Sequence, residues 1–312
     1  MLILKNKLQN AFIAVKTAWD GALKTVKESW RDWADGVNSD TETEYYNWTE
    51  LLVTIREWIG DRVIGNIQGN EWSVKNRHYE GSFGLKVSDI NDEKFGMLPR
   101  KTQELLAAAR LHPENLLFDA VDGAFAGLCF DGQFFFDTDH PTLDQASTYS
   151  NLYTDPFSYD AMLLRSNHMF LMRNAQGNRL VLEPDAILVG SKYIHMARNF
   201  FDAEKKPGTM NDPNQLKGQF KPVYCPKFEG SEAEYWVLTF KIPGSNLRAF
   251  LYQERTMADI YCTAMNDGGS FGVPGKDAIE FLKDEVYFGT DFWGAATHTL
   301  PVLACASTGT GE

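Results

Sequence analysis

An α+β fold follows from three features of the sequence. Two stretches near the start carry apolar residues at helical spacing, the next stretch alternates apolar with polar residues, and the second half mixes both periods too irregularly for a doubly wound parallel sheet. At 312 residues the chain has room for one large domain or two to three small ones, and it can bury roughly 75% of the surface its unfolded form exposes. With 44% hydrophobic and 23% charged residues, 25 Gly and 12 Pro, its composition is that of a folding globular protein.

Leu4, Leu8, Phe12, Val15, Trp19, Leu23, Val26, Trp30 and Trp33 recur at steps of three and four, so residues 4–33 are expected to form one long amphipathic helix. Lys5, Lys7, Lys16, Lys24, Lys27 and Arg31 lie off that stripe. Docking on protein is the leading reading of the stripe, and an interfacial membrane helix is the competing one. Gly36 and the polar run from Asn38 to Glu44 end the helix as a linker or arm. Residues 48–67 return to helical spacing with Leu51, Leu52, Ile55, Trp58, Ile59 and Val63.

The period then changes to two. Trp72 and Val74, a polar turn region over 76–81, and Phe83, Leu85 and Val87 predict a long antiparallel hairpin. A lone hairpin is marginal in water, so this one needs another surface to lie on. Pro99 opens a helix carrying Leu105, Leu106, Ala109 and Arg110. The His112-Pro113 step is expected to break or kink it, with Pro113 at the first position of a further helix to Val121. Gly123, Gly127 and Gly132 lead into the aromatic run Phe134 to Phe136.

Beyond that run, helices are predicted over 159–173 and 192–201, with a turn at Gly177-Asn178 and a strand over 186–189. A polar loop covers 204–216, strands cover 235–242 and 249–252, and a strand-rich stretch covers 286–305. There is no internal repeat.

The formal charge of −12 argues against a surface built to grip phosphates, although a container wall that must not immobilise its contents tolerates such a balance. No apolar run approaches the ~20 residues that span a bilayer, and Lys5 and Lys7 interrupt the opening apolar residues, so the chain is expected to be soluble and made in the cytoplasm. Cys129, Cys225, Cys262 and Cys305 are scattered, without zinc spacing, and read as reduced, packed thiols.

Enzyme-like chemistry is sparse. Asp131, Asp137, Asp139 and His140 gather oxygen and nitrogen ligands ahead of Pro141, but the spacing is not that of a calcium loop, and acids in a loop usually serve turns and caps. Gly269 to Asp277 fails as a phosphate loop because Ser270 replaces the first glycine and Asp277 the magnesium-binding hydroxyl. His78, His112, His168, His195 and His298 have no neighbouring nucleophile motif, and there is no G-x-S-x-G.

Three segments carry a resemblance: Arg56-Glu-Trp-Ile-Gly-Asp-Arg-Val-Ile64, Tyr79-Glu80, and Phe130-Asp-Gly-Gln-Phe-Phe-Phe-Asp-Thr-Asp-His-Pro141. In that order and at that separation, they resemble the Mu-like phage major head subunit (gpT) family, clearly over about residues 48–141. Residues 180–201, 236–255 and 286–306 are similar in the order of their elements.

The resemblance implies the Hong Kong 97-type capsid fold. Residues 1–66 would be an N-terminal amphipathic helix and arm, 67–97 an extended hairpin loop across a neighbour, and 98–154 a peripheral domain with a spine helix. Residues 155–260 would be an axial domain, and 261–312 the return to peripheral strands.

It further implies a major capsid protein, not an enzyme and without cofactor. Such a protein self-assembles as hexamers and pentamers into an icosahedral shell around double-stranded DNA, in the virion, after assembly in the host bacterial cytoplasm. Its partners would be further copies of itself, portal and scaffolding proteins, a decoration protein and packaged DNA held non-specifically, with no membrane.

Trp58, Gly60, Arg62, Asp131, Gly132, Phe135, Asp137, His140 and Pro141 become structural motif positions. Lys75, Arg77, His78 and Glu80 become contacts between subunits, joined by Trp19, Trp30 and Trp33 of the N-terminal helix. Trp58 and Ile59 are expected to pack inside the subunit. The alternatives are a metal-dependent hydrolase built on Asp131, Asp137, Asp139 and His140, and a peripheral membrane protein using residues 4–33.

Overall fold

The computed structural model describes residues 2–47, 72–86, 88–89, 92, 95–142, 147–173, 178–209, 211–262 and 285–311, without the side chains of residues 2–6, 8 and 95. The expected helix over 48–67, with Trp58, Ile59, Gly60 and Arg62, lies outside the described residues.

Helix α1 (Leu2–Leu23) buries Ala11, Val15, Trp19 and Ala22, a stripe at helical spacing. It ends ten residues short of the expected boundary. The amides of Thr25 and Val26 and the Thr25 hydroxyl all bond back to the Ala22 carbonyl, closing the last turn. A 3₁₀ turn over Ser29–Asp32 then carries Trp30 and Trp33 into a different core.

The expected linker is ordered. Strand β1 (Asp35–Asn38) pairs in parallel with β11 (Phe250–Cys262), and β2 (Thr43–Tyr46) pairs antiparallel with β3 (Trp72–Lys75).

The expected hairpin over 72–87 is also corrected. Its two halves do not pair with each other: β3 pairs with β2, while β4 (Arg77–Lys86) pairs antiparallel with β12 (Glu285–His298). The turn region shrinks to Asn76 alone, where the chain steps from one sheet to the other. The larger sheet has the order β1-β11-β12-β4.

Helix α2 (Leu98–Gly123) is one helix, with Pro99 in its first turn and Pro113 inside it. The expected break at Pro113 does not occur. An interior proline costs about 3 kcal/mol, but here Leu106, Ala109, Pro113, Leu117 and Val121 form one buried stripe that runs through it. That burial offsets the lost bond.

A two-stranded ladder of β5 (His140–Pro141) and β6 (Thr148–Tyr149) leads into a five-stranded sheet. Its order is β7 (Leu152–Tyr153), β13 (Ala304–Ser307), β10 (Trp236–Lys241), β8 (Glu183–Val189), β9 (Lys221–Tyr224). Helices α3 (Tyr159–Met169) and α4 (Ile194–Asp202) accompany it, and α3 is capped by the Ser158 hydroxyl accepting from the Ala161 amide at 3.1 Å.

The expected strand-rich stretch divides after His298. A short 3₁₀ turn over Pro301–Leu303 redirects the chain, so β13 joins the five-stranded sheet instead of completing the sheet beside α2.

One core cluster spans both sheets through Trp33, Phe118, Phe135, Phe250 and Trp236; a second lies between α1, α2 and the long strands through Leu98, Leu106, Ile260, Val286 and Phe288. Trp19, Trp30 and Trp33 are 0–1% exposed. Their expected role as contacts between subunits is therefore corrected, because the rings are already consumed by the chain's own core. Of the stripe that the membrane reading of α1 needs, Val15 and Trp19 are buried in the chain's own core in the same way.

Candidate assembly surface and the Asp131 to His140 turn

The step at Asn76 is held by a buried polar network. Asn76 Nδ2 donates to Ser39 Oγ and to the Thr41 carbonyl, both at 2.8 Å, and the Asn76 amide donates to the Glu42 carbonyl at 2.9 Å. Gln253 on β11 donates to Asn76 Oδ1 at 2.8 Å and accepts from the Tyr46 hydroxyl at 2.7 Å. Burial, with Glu44 and Asp35 adding to it, pushes the Tyr46 phenol up to about 12, so it remains a donor.

Beside this network, Trp72 donates to Thr297 Oγ1 at 3.0 Å and packs on His298 at 5.1 Å; Phe135 stacks on the same ring at 4.6 Å. Burial pushes the His298 imidazole down to about 4. The β2–β3 ribbon is thus pinned to the large sheet by a polar hub and an aromatic stack.

Lys75, Arg77, His78 and Glu80 lie on one exposed stretch that leaves this pivot. Lys75 pairs with Glu42 at 2.9 Å, and His78 Nε2 meets Asp291 Oδ2 at 2.9 Å while stacking on Trp293 at 4.5 Å. The Lys75 ammonium holds the Glu42 carboxyl below the usual range.

The register places Glu80 directly opposite Asp291, and Asp291 directly opposite Asp259. Like charges at opposed positions disfavour the isolated sheet. Lys16, at 2.7 Å from Asp259, supplies a counter-charge at one end of that row.

The Asp131 to His140 cluster is a turn. Asp131 accepts from the Gln133 amide at 3.1 Å and from His140 Nδ1 at 2.7 Å, and His140 Nε2 faces the Phe135 carbonyl at 3.1 Å. Asp137 accepts from the Thr138 amide at 2.6 Å and the Phe134 amide at 3.3 Å. Asn151 joins the turn to the chain's end, donating to the carbonyls of Phe135 at 2.8 Å and Pro301 at 3.2 Å.

His140 and Phe135 are buried, Asp139 and Pro141 are exposed, and Gly132 takes φ +88°, a conformation that favours glycine. Asp131 and Asp137 thus spend their oxygens on different amides, and among the described residues no group of three or more His, Cys, Asp or Glu could hold a metal ion. Asn76, Gln253, Asn151 and His298 were not singled out for these roles by sequence reasoning; each draws its partners from distant segments, so no local signal marks them.

The arrangement is that of the Hong Kong 97-type capsid fold, with a long sheet on one long helix and a second sheet beside it. The procapsid protein of bacteriophage JBD30 shares it at a TM-score of 0.57 and 22% identity, over 96% of this chain and 74% of that one. Residues 8–165 match the family of the Mu-like prophage major head subunit gpT, and this chain belongs to that family.

The major capsid protein of Escherichia phage Mu is 32% identical over 132 residues, 41% of this chain and 43% of its own length. The Mu-like prophage FluMu major head subunit of Haemophilus influenzae is 34% identical over 122 residues, 39% of each chain. The matched region is therefore less than half the length of either relative.

Proposed function

We propose that this chain is a major capsid protein that self-assembles into the icosahedral head shell enclosing the double-stranded DNA of a tailed phage or prophage. Membership of the head-subunit family over residues 8–165 carries this reading, and the capsid fold supports it. Function here is assembly: heterologous contacts close into hexamers and pentamers, and these tile a shell through interfaces that typically bury ~2,000 Å² or more.

In this reading α2 and the large sheet form the peripheral domain, and the five-stranded sheet with α3 and α4 forms the axial domain. Lys75, Arg77, His78 and Glu80 make charged contacts with a neighbouring copy. Portal and scaffolding proteins and a decoration protein are the further partners, and assembly takes place in the host bacterial cytoplasm. The net charge of −12 suits a wall that leaves packaged DNA mobile.

The reading is tested by expressing the chain alone and with a scaffolding protein and following its size by gel filtration and sedimentation velocity. Large assemblies are expected. A monomer under every salt condition, with scaffolding present, would contradict it.

A further inference from the structure

Two short links carry the chain between its two sheets: residues 242–249 lead from β10 to β11, and residues 299–303 lead from β12 to β13. They are tied to each other. The Thr299 amide donates to the Ala249 carbonyl at 2.9 Å, and the Thr299 hydroxyl donates to the Arg248 carbonyl.

The Arg248 side chain leaves this crossing and grips both sheets. Its Nη1 donates to the carbonyls of Arg31 at 2.6 Å and Ala34 at 3.0 Å, and its Nε lies 3.0 Å from Asp185 Oδ2. Arg31 and Ala34 belong to the turn that enters β1, and this turn is part of the large-sheet body, because Trp30 packs edge-on against Tyr252 and Trp33 against Phe250, both on β11. Asp185 lies on β8 of the five-stranded sheet, with its side chain 5% exposed. A carboxylate buried that far needs a close partner, and the Lys241 ammonium stands 3.9 Å from it. Asp32 with Lys221 and Asp119 with Lys227 also join the two bodies, but those side chains are 41–56% exposed, where ion pairs contribute little.

This flank is held by polar contacts. A groove of about 550 Å³ opens between the turn and the β10–β11 link, lined by Arg31, Asp35, Gly36, Lys241 and Asn246, with Arg248 in its wall. The groove is clearance in which one sheet has room to tilt against the other. Against that freedom stands a guanidinium whose planar fork holds two carbonyls and a carboxylate in fixed directions.

We propose that Arg248 is the positioning residue that fixes the angle between the two sheets, and that this angle sets the curvature at which copies of the chain join. The second half rests on the shell-subunit reading; the first stands on the subunit alone. Heterologous contacts close into rings only where the rotation from one copy to the next is right, so a subunit of loose shape passes its spread to every contact it makes.

The test uses the full-length chain with Arg248→Met, which removes the fork and the charge, and with Arg248→Lys, which keeps a cation for Asp185 and loses the paired carbonyl contacts. Spin labels are placed through Ser82→Cys in β4 and Lys217→Cys in the loop before β9, both exposed, while the four native thiols are buried. Double electron–electron resonance then reads the distance between the sheets in unassembled subunits. One narrow distribution is expected with Arg248; its width grows roughly twofold in Arg248→Met and by less in Arg248→Lys. A distribution as narrow as with Arg248 in place, in Arg248→Lys or in a folded Arg248→Met, would overturn the pin. Electron microscopy of the products formed with scaffolding is expected to show mixed diameters or unclosed sheets for the variants. Uniform shells from a variant with a widened distribution would overturn the link to curvature and leave the pin standing. If the unsubstituted chain forms no shells, the shell-subunit reading falls, and the spin-label distances still decide the pin.

Discussion

Gln253 donates a 2.8 Å hydrogen bond from Nε2 to Oδ1 of Asn76, and both side chains are buried although 177 positions separate them. This contact lies where the ribbon of β2 and β3 meets the large sheet, and it decides the path of the chain between them. Replacing Gln253 with leucine leaves the buried Asn76 Oδ1 without the amide that donates to it. An unsatisfied buried group costs ~1–3 kcal/mol, so Gln253→Leu is expected to lower stability by about 1–3 kcal/mol in urea unfolding. A loss below about 0.5 kcal/mol would show that the network does not pin the ribbon.

Trp33 is 1% exposed and stacks on Phe118 at 5.4 Å. Trp33→Ala is expected to cost about 3–5 kcal/mol in the unassembled subunit. If the ring instead clamped a neighbour, unfolding of the lone subunit would be unchanged and only assembly would suffer.

His298 is held neutral by burial, its imidazole pushed from 6.5 down to about 4. Between those values the unfolded chain binds a proton that the folded chain refuses, so this residue's effect on stability grows with pH across the window. Stability is lost as pH falls from about 6.5 toward 4, by at most about 3 kcal/mol. His298→Phe keeps a ring in contact with Trp72 and Phe135 and removes the titration. Denaturation midpoints from pH 4 to 7 should slope less steeply in that variant, and parallel slopes would refute the assignment.

Glu80 stands opposite Asp291, which stands opposite Asp259. Removing one charge with Glu80→Gln is expected to raise subunit stability by less than about 1 kcal/mol while slowing shell assembly, followed by light scattering. Faster assembly with a more stable subunit would mean that Glu80 makes no favourable contact across subunits.

Much of the fold is legible where one element's own pattern decides it. Pro99 marks the start of α2, the helix expected from residue 159 is α3, and the strands expected over 186–189 and 235–242 are found as β8 and β10. The motif from Phe130 to Pro141 lies within the stretch that matches the family, and its residues form the turn that positions Phe135 and His140.

What sequence reasoning misplaced depends on partners far away in the chain. Trp30 and Trp33 continue the helical stripe of α1 by spacing alone, yet the turn closed on Ala22 sends them to another core. The alternation of residues 72–87 was correct as strand and wrong as hairpin, because β2 and β12 are the partners and only Asn76 separates the two pairings. A deletion of residues 70–95, attractive if they were a free hairpin, would remove β3 and β4 and with them part of the core around Phe83 and Phe288. Pro113 looked like a helix boundary because its cost is local while the stripe that outweighs it extends over the whole helix.

Electron microscopy of particles purified after expression with a scaffolding protein tests most directly whether this chain builds a closed shell. Closed particles whose walls resolve into hexamers and pentamers of this chain are the predicted result. Well-folded, dispersed monomers in the presence of scaffolding protein would contradict the account.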